Sequence, residues 1–238
     1  MSAVAAQHSC PTGPTFLLVH GAWHGAWCWE KLEVELAARG WASRTVDLPS
    51  ASRTDRPADP LPGVLDDADV IRQAIKAIDG PVTIVAHSYG GIPATQAAAG
   101  SAHVTHLVYL AAYQLDAGEN MFSFRGDAEP ELVVVEGLVH PDAHSIANLY
   151  ADVPEDETTR AAARLVPHSA RCATDRVSEA GWHGIPSSYI VCDQDRALPP
   201  AHQEKMAARA NTTYHLPSGH SPFLSIPAEL ATLLGACL

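Results

Sequence analysis

Short apolar runs that end in turn residues alternate with helical segments along most of this chain. The run Thr15–Val19 precedes Gly21 and is typical of a strand buried on both faces. Similar runs lie at 42–46, 82–86, 104–112, 188–192 and 212–216. Strands that alternate with helices through short connections form a doubly wound sheet. We therefore predict an α/β fold with a mainly parallel sheet of about six strands and helices on both faces.

The segments between these strands have helical periodicity. Val64, Ala68, Ile71, Ile75 and Ile78 are spaced by three or four residues, which places them on one helical face. Further helices are expected around Trp29–Leu36 and over 90–99, 200–209 and 227–237. These helices would cover the sheet.

The alternation stops between Leu115 and Gly184. This stretch is too long for a loop, and it carries a helical pattern at 157–165. An acidic run there comprises Asp152, Glu155, Asp156 and Glu157, and we interpret it as a solvated helix start. We predict a helical cap at 115–184, inserted into an α/β core formed by 1–114 and 185–238.

Composition and charge exclude several classes of protein. Of the 238 residues, 47% are hydrophobic and 18% charged, which excludes general disorder. The net charge of -12 argues against a nucleic-acid partner or an anionic membrane surface. No apolar run is long enough to span a bilayer. The sequence permits a homodimer but does not require one.

The five cysteines and the first residues indicate the compartment. The cysteine count is odd, and no C-x-x-C pair is present, so neither a disulfide framework nor a zinc knuckle is indicated. The first 14 residues have no basic residue ahead of an apolar stretch, so we expect no signal peptide. A reduced, cytoplasmic protein is expected.

The strongest chemical motif is Ser88 between a strand and a helix. A serine in such a sharp turn needs small residues two positions away on each side, and Ala86 and Gly90 occupy those positions. The turn would project the serine hydroxyl above the sheet, next to a helix N-terminus that favours negative charge. We therefore predict that Ser88 is a nucleophile and that the neighbouring His87 is a support residue.

A serine nucleophile needs a base and an orienting carboxylate. His220 lies in a loop just after the last predicted strand, at the edge where Ser88 is expected, and is the candidate base. Asp193 and Asp195 both follow the preceding strand. Asp195 is favoured because a residue separated from the strand end by two others can reach back across the edge. The order Ser, Asp, His is that of α/β hydrolases.

Two backbone N–H groups are needed to stabilise the developing oxyanion. Tyr89, which follows the nucleophile, and Ala22, which follows the first strand, are the candidates. The pairs His20/His24 and His140/His144 have a four-residue spacing that metal ligands can use. Neither pair has a third ligand in its motif, so we predict structural roles, no metal and no cofactor.

Four stretches resemble the α/β-hydrolase superfamily, and within it the branch of plant methylesterases, plant hydroxynitrile lyases and small bacterial esterases. They are residues 19–29, 87–91, 192–195 and 218–220, and the resemblance extends from Thr15 to Leu238. It implies a triad of Ser88, Asp195 and His220, with Ala22 and Tyr89 as oxyanion donors. It also favours Asp195 over Asp193, because the second Asp of this motif is the family's triad acid.

The chain departs from the lyases of this branch at two positions. The lyases resemble one another in having a threonine after the first-strand histidine and a lysine after the catalytic histidine. Gly21 and Ser221 occupy those positions here. Because Ser221 cannot supply a cation for departing cyanide, the resemblance implies an esterase.

The function expected from these residues is serine-dependent hydrolysis of a small or medium carboxylic ester through an acyl-enzyme. Lyase activity, hydrolysis of a lactone, an amide or a carbon–carbon bond, and a non-catalytic receptor for a small ligand stay open as alternatives. The pocket wall is expected to include Trp23, Tyr113, Met121, Phe122 and Phe124.

Overall fold

A parallel β-sheet organises the protein, whose computed structural model describes residues 13–51, 59–125 and 133–238, with only the backbone of residues 124 and 125. The described strands are, in chain order, β1 (Thr15–Val19), β2 (Ser43–Val46), β3 (Val82–His87), β4 (Val104–Leu110), β5 (Val134–Val135), β6 (Leu138–Val139), β7 (His168–Ser169), β8 (Ser187–Cys192) and β9 (Thr212–Leu216). The described α-helices are α1 (Glu30–Ala38), α2 (Val64–Ala77), α3 (Gly91–Ala98), α4 (Met121–Arg125), α5 (Ala143–Leu149), α6 (Glu155–Ala162), α7 (Arg171–Thr174), α8 (Pro200–Ala207), α9 (Pro222–Ser225) and α10 (Pro227–Ala236).

The main sheet has six strands in the order β2-β1-β3-β4-β8-β9. Every neighbouring pair in it is parallel. The carboxyl ends of all six strands therefore lie at one edge. The order reverses between β1 and β3, and ligands of open α/β sheets bind in the crevice beyond such a reversal. The predicted α/β fold with six parallel strands is confirmed.

Two hydrophobic cores lie on opposite faces of the sheet. Because side chains alternate along a strand, Leu17 and Val19 of β1 belong to one core, and Phe16 and Leu18 to the other. All four side chains are fully buried. This explains why β1 is a continuous apolar run: neither face of the strand contacts water.

The predicted elements differ from the observed ones mainly at their ends. The fourth strand was expected to extend to Ala112, but β4 ends at Leu110. Ala111 has φ of 43°, a left-handed conformation that cannot continue a strand. The terminus of a strand depends on the local turn, which hydrophobic periodicity does not report.

The segment between β4 and β8 contains helices α4 to α7 and a small antiparallel sheet with the order β5-β6-β7. The helices agree with the expected helical character of 115–184. The sheet was not predicted, because strands of two residues are too short to carry a periodic signal. The division into a core and a cap stays a prediction. Among the described residues, no helix is long and apolar enough to cross a membrane.

Candidate active site

Ser88 lies in a sharp turn between β3 and α3, as the motif predicts. Its φ is 51°, a left-handed conformation that costs a non-glycine residue about 1–3 kcal/mol. Two glycines that follow Ser88 let the turn pack against neighbouring backbone: a Cβ atom on Gly90 would overlap the carbonyl oxygen of His20, and one on Gly91 that of Tyr113. The peptide N–H of Tyr113 donates to the Ser88 carbonyl at 3.0 Å.

His220 and Asp195 form a buried pair at the same edge of the sheet. The distance from His220 Nδ1 to Asp195 Oδ2 is 2.6 Å, and both side chains are almost fully excluded from solvent. The loop after β8 carries Asp195, and the loop after β9 carries His220. Since Nδ1 of His220 is occupied by the carboxylate, Nε2 is the ring nitrogen that can accept a proton.

Other groups hold the Asp195 carboxylate in place. Its Oδ1 accepts the peptide N–H groups of Ala197 and Leu198 at 2.8 and 2.9 Å. Its Oδ2 also accepts Nε2–H of Gln203 at 2.8 Å. These donors compensate for the burial of a carboxylate and fix its direction.

Asp193, the alternative acid, points elsewhere. Its Oδ1 lies 2.8 Å from Nδ1 of His215, and about half of each side chain is exposed. The structure therefore brings Asp195, and not Asp193, to His220.

His87 supports the loop that carries His220. Its Nε2–H donates to the backbone carbonyl of His220 at 2.8 Å, and the two rings are 4.6 Å apart. Burial holds the pKa of His87 well below its usual value, with a smaller contribution from His220. A neutral His87 donates its single ring proton to this carbonyl. The contact fits the support role expected for His87.

A cavity of about 180 Å3 lies over these residues. Ser88 and His220 line it, together with the two expected oxyanion donors, Ala22 and Tyr89. Three of the expected wall residues are also present: Trp23, Tyr113 and Met121. The remaining lining residues are His144, Ser145, Asn148, Leu149, Ala197 and Leu198.

One expected wall residue, Phe122, is absent from this lining, and another, Phe124, cannot be compared with it. Phe122 is buried but does not line the cavity, because the next residue of a helix points about 100° away from Met121. The side chain of Phe124 lies outside the described part of the chain. Helix α5 instead contributes four lining residues that sequence reasoning did not select. Periodicity does not reveal which helix of an insertion packs over a site.

The loop after β1 is held by His24. Its Nδ1 lies 2.8 Å from the carbonyl oxygen of Ala22, and its Nε2 lies 2.8 Å from the Tyr150 hydroxyl. Burial lowers the pKa of His24 to about 3, so the ring is neutral. The carbonyl must accept from Nδ1–H, which leaves Nε2 to accept from the hydroxyl.

Both ring nitrogens of His20 also have hydrogen-bond partners. The distance from Nδ1 to the Gly21 carbonyl oxygen is 2.8 Å, and the distance from Nε2 to the Leu48 peptide nitrogen is 3.0 Å. In the second pair, His144 Nε2 lies 3.0 Å from Asn148 Nδ2. The contacts of His20 and His24 fit the structural roles expected for this pair, whereas His144 lines the cavity and the role of the second pair stays a prediction. Within the described ranges, one group of three side chains could supply metal ligands, and it contains neither pair: Asp67, His168 and Cys172.

Sequence reasoning missed Asp152, which lies before α6 rather than in its first turn. Glu155, Asp156 and Glu157 do occupy that turn, as expected. Asp152 instead accepts the peptide N–H of Gly219, next to His220. No sequence signal distinguishes it from its acidic neighbours, because the contact joins residues far apart in the chain.

This fold, with a strained serine turn and a buried His–Asp pair at the carboxyl edge of the sheet, is that of an α/β hydrolase. The chain belongs to the Alpha/beta hydrolase family, whose sequence profile matches residues 16–233. The resemblance found in the sequence is therefore confirmed.

Known proteins are similar over almost the whole chain. A probable hydrolase of Phoma sp. is 29% identical, covering 94% of this chain and 97% of its own. Methylesterase 7 of Arabidopsis thaliana is 27% identical, covering 92% and 94%. The crystal structure of an Arabidopsis methylesterase superimposes with a TM-score of 0.79 at 25% identity, covering 94% of this chain and 98% of that one. These relatives agree with the predicted enzyme class, a carboxylic ester hydrolase.

Proposed function

We propose that this protein hydrolyses a small, uncharged carboxylic ester through a covalent acyl-enzyme on Ser88. The observation that carries the proposal is the buried His220–Asp195 pair, joined at 2.6 Å, whose histidine lines the same cavity as the strained Ser88. The methylesterases among its relatives support an ester as the substrate.

In the proposed reaction, Ser88 Oγ attacks the ester carbonyl while His220 Nε2 takes the hydroxyl proton. Asp195 holds the imidazole in the tautomer with the proton on Nδ1 and stabilises the imidazolium that forms. The peptide N–H groups of Ala22 and Tyr89 stabilise the oxyanion. His220 then gives its proton to the departing alcohol. Water, activated by the same histidine, releases the acid and restores Ser88.

The cavity supports a small, neutral substrate. Its described lining has no Asp, Glu, Lys or Arg side chain, so nothing there pairs with a charged group on the ligand. Its volume of about 180 Å3 is below the roughly 300–1,000 Å3 typical of sites for drug-sized ligands. After hydrolysis, the negatively charged carboxylate product would dissociate from a protein whose own net charge is -12.

The residues after β1 and after His220 argue against cyanohydrin cleavage. Ser221 is fully buried and carries no charge. A Cβ atom on Gly21 would lie 2.9 Å from both Ser88 Cβ and His87 Nδ1, so the threonine that the lyases carry at this position would not fit here without a shift of the serine turn. A site without a cation next to the base does not stabilise cyanide as a leaving group.

A substrate panel tests the proposal. We would assay p-nitrophenyl acetate, butyrate, octanoate and dodecanoate, with a lactone, an anilide and a cyanohydrin, against Ser88→Ala as the background. We expect the short esters to be hydrolysed fastest, with an initial burst of p-nitrophenol as the acyl-enzyme accumulates. An organophosphonate should modify Ser88 alone. Cyanide release, or cleavage of the lactone or anilide without ester hydrolysis, would reject the proposed substrate class.

A further inference from the structure

A buried polar cluster lies behind the turn that carries Ser88, away from the His220–Asp195 pair. It comprises Ser50, Asp67, Tyr89, His168 and Cys172, each at most 6% exposed. Tyr89 belongs to the turn itself, and Asp67 to the first turns of α2. The mechanism above uses only the backbone of Tyr89 and none of the other four residues.

The Asp67 carboxylate is the centre of this cluster. Its Oδ2 lies 2.5 Å from both the Tyr89 hydroxyl and the Ser50 hydroxyl. Its Oδ1 accepts the peptide N–H of Ser50 at 3.0 Å. Two short hydrogen bonds to one carboxylate oxygen are the strong, charge-assisted kind.

The outer members of the cluster extend the hydrogen bonds around Asp67. The Tyr89 hydroxyl lies 3.0 Å from Cys172 Sγ, so it is within donating distance of both the thiol sulfur and Asp67 Oδ2, with the shorter distance to the carboxylate. His168 Nε2 lies 3.1 Å from the Ser50 hydroxyl. Because the Ser50 hydroxyl donates its proton to Asp67, the imidazole N–H of His168 donates to the Ser50 oxygen. All five side chains are therefore joined by hydrogen bonds.

Tyr89 is held both at its backbone and at the hydroxyl end of its side chain. The backbone of Tyr89 follows Ser88 and lines the cavity, while the far end of its ring is bonded to α2. The ring also packs edge-on against His168, with centroids 4.5 Å apart. A shift of the phenol would be transmitted to the turn, because the ring is enclosed on all sides.

We infer that Asp67 is a positioning residue for ester hydrolysis: by holding the Tyr89 hydroxyl, it fixes the backbone next to Ser88, including the N–H that faces the oxyanion. The inference rests on the proposed function. It assigns Asp67, His168 and Cys172 to a hydrogen-bond chain, although their donor atoms could also hold a metal ion. A metal ion would have to displace the hydroxyl groups that already occupy Asp67.

The decisive variant is Tyr89→Phe, which removes only the hydroxyl oxygen. Tyr109→Phe is its matched control: Tyr109 is equally buried, and its hydroxyl lies 2.7 Å from Thr95 Oγ1, outside the cavity lining. We expect Tyr89→Phe to lower kcat about tenfold with KM changed less than about twofold, because misplaced groups weaken transition-state binding first. Tyr109→Phe should have the kcat of the wild type, although it should lose about as much thermal stability as Tyr89→Phe.

Asp67→Asn and the double variant identify the partner. If Asp67 acts through Tyr89, Asp67→Asn lowers kcat similarly, and adding Tyr89→Phe to it causes little further loss. If the two losses multiply, Asp67 does not act through the hydroxyl and the inference fails. If Asp67→Asn does not fold, the comparison of kcat between Tyr89→Phe and Tyr109→Phe tests the inference by itself. Equal kcat values for the wild type and Tyr89→Phe would overturn the inference, as would a stoichiometric metal lost on mutation of Cys172.

A further comparison separates this inference from the proposed function. If Ser88→Ala retains wild-type activity, the proposed function is wrong. If Ser88→Ala is inactive and Tyr89→Phe is fully active, the proposed function stands and only the role of Asp67 is rejected.

Discussion

The carboxylate of Asp152 accepts the peptide N–H of Gly219 at 2.7 Å, so the segment between β4 and β8 holds the loop that carries His220. The fit is close, because a Cβ atom on Gly219 would overlap Asp152 Oδ1. The histidine loop is thus held by this bond on one side and by His87 on the other. The segment between β4 and β8 contributes to the candidate site through this bond as well as through the cavity wall.

Replacement of Asp152 should impair turnover. In Asp152→Ala the Gly219 N–H loses its acceptor, and we expect kcat to fall about tenfold, equivalent to roughly 1.4 kcal/mol in the activation barrier. Asp152→Asn retains an oxygen acceptor and should keep most of the activity. Steady-state kinetics of both variants test this. Equal losses in the two would mean that the charge matters rather than the hydrogen bond.

Ser88→Ala should abolish ester hydrolysis while the fold is retained. Loss of a triad member typically lowers kcat by about 10³-fold or more. The substitution also removes a hydroxyl without adding volume. Initial rates with p-nitrophenyl acetate measure the loss, and circular dichroism with thermal unfolding checks the fold. Turnover near that of the wild type would exclude Ser88 as the nucleophile.

Asp195→Asn should be far more damaging than Asp193→Asn. The first variant puts an amide beside His220 Nδ1 and disturbs the tautomer, whereas the second changes a half-exposed residue that contacts His215. We expect a loss of roughly 10³- to 10⁴-fold in kcat for Asp195→Asn. Asp193→Asn should remain within about threefold of the wild type, since surface ion pairs contribute little. The reverse order would refute the choice of acid.

Prolonged treatment with EDTA followed by dialysis should leave esterase activity unchanged. In both His20 and His24, each ring nitrogen already has a hydrogen-bond partner. Neither of these two histidines therefore has a ring nitrogen free to bind a metal ion. The measurement is the specific activity before and after treatment, with metal content determined in parallel. A loss that zinc or manganese restores would make metal part of the mechanism.

The stability of the protein should depend on pH through Asp67. Burial raises the pKa of Asp67 from 3.8 to about 6, although the Ser50 and Tyr89 hydrogen bonds oppose the shift. The folded state therefore binds this proton more tightly than the unfolded state. Relative to Asp67→Asn, the wild type should lose free energy of unfolding as the pH rises from about 4 to 6, by at most roughly 3 kcal/mol.

Urea unfolding of the two proteins between pH 4 and pH 8 measures this difference. All other groups titrate in both proteins, so the difference between their free energies of unfolding isolates Asp67. A difference that stays constant, or that changes in the opposite direction, would show that the Asp67 carboxyl does not have a raised pKa.

Much of the fold follows from local chemistry that the sequence contains. A parallel strand buried on both faces must be a continuous apolar run, and β1 is recognisable for that reason. The turn at Ser88 is recognisable because the small residues Ala86 and Gly90 lie two positions away on each side of the serine. Such features depend on neighbours in the chain and can be predicted from them.

For contacts between distant segments, the sequence reduced the number of candidate residues but did not determine which of them makes the contact. The sequence placed Asp193 and Asp195 after the same strand, and both the position beyond the strand end and the resemblance to a known family favoured the second. In the structure, the peptide N–H groups of Ala197 and Leu198 turn Asp195 toward His220. The direction of a side chain three residues beyond a strand depends on the loop, which strand periodicity does not describe.

The sequence by itself determined the α/β architecture, the serine turn and the edge of the sheet where the candidate site lies, because hydrophobic alternation and tight turns are set by residues close together in the chain. Only the tertiary structure decided that α5 lines the cavity, that Asp152 holds Gly219 and that Asp67 meets Tyr89. Each of these contacts joins segments whose separation in sequence exceeds any helical or strand period. Their partners depend on how α2 and the segment between β4 and β8 pack on the sheet, and this packing depends on side chains from the whole chain.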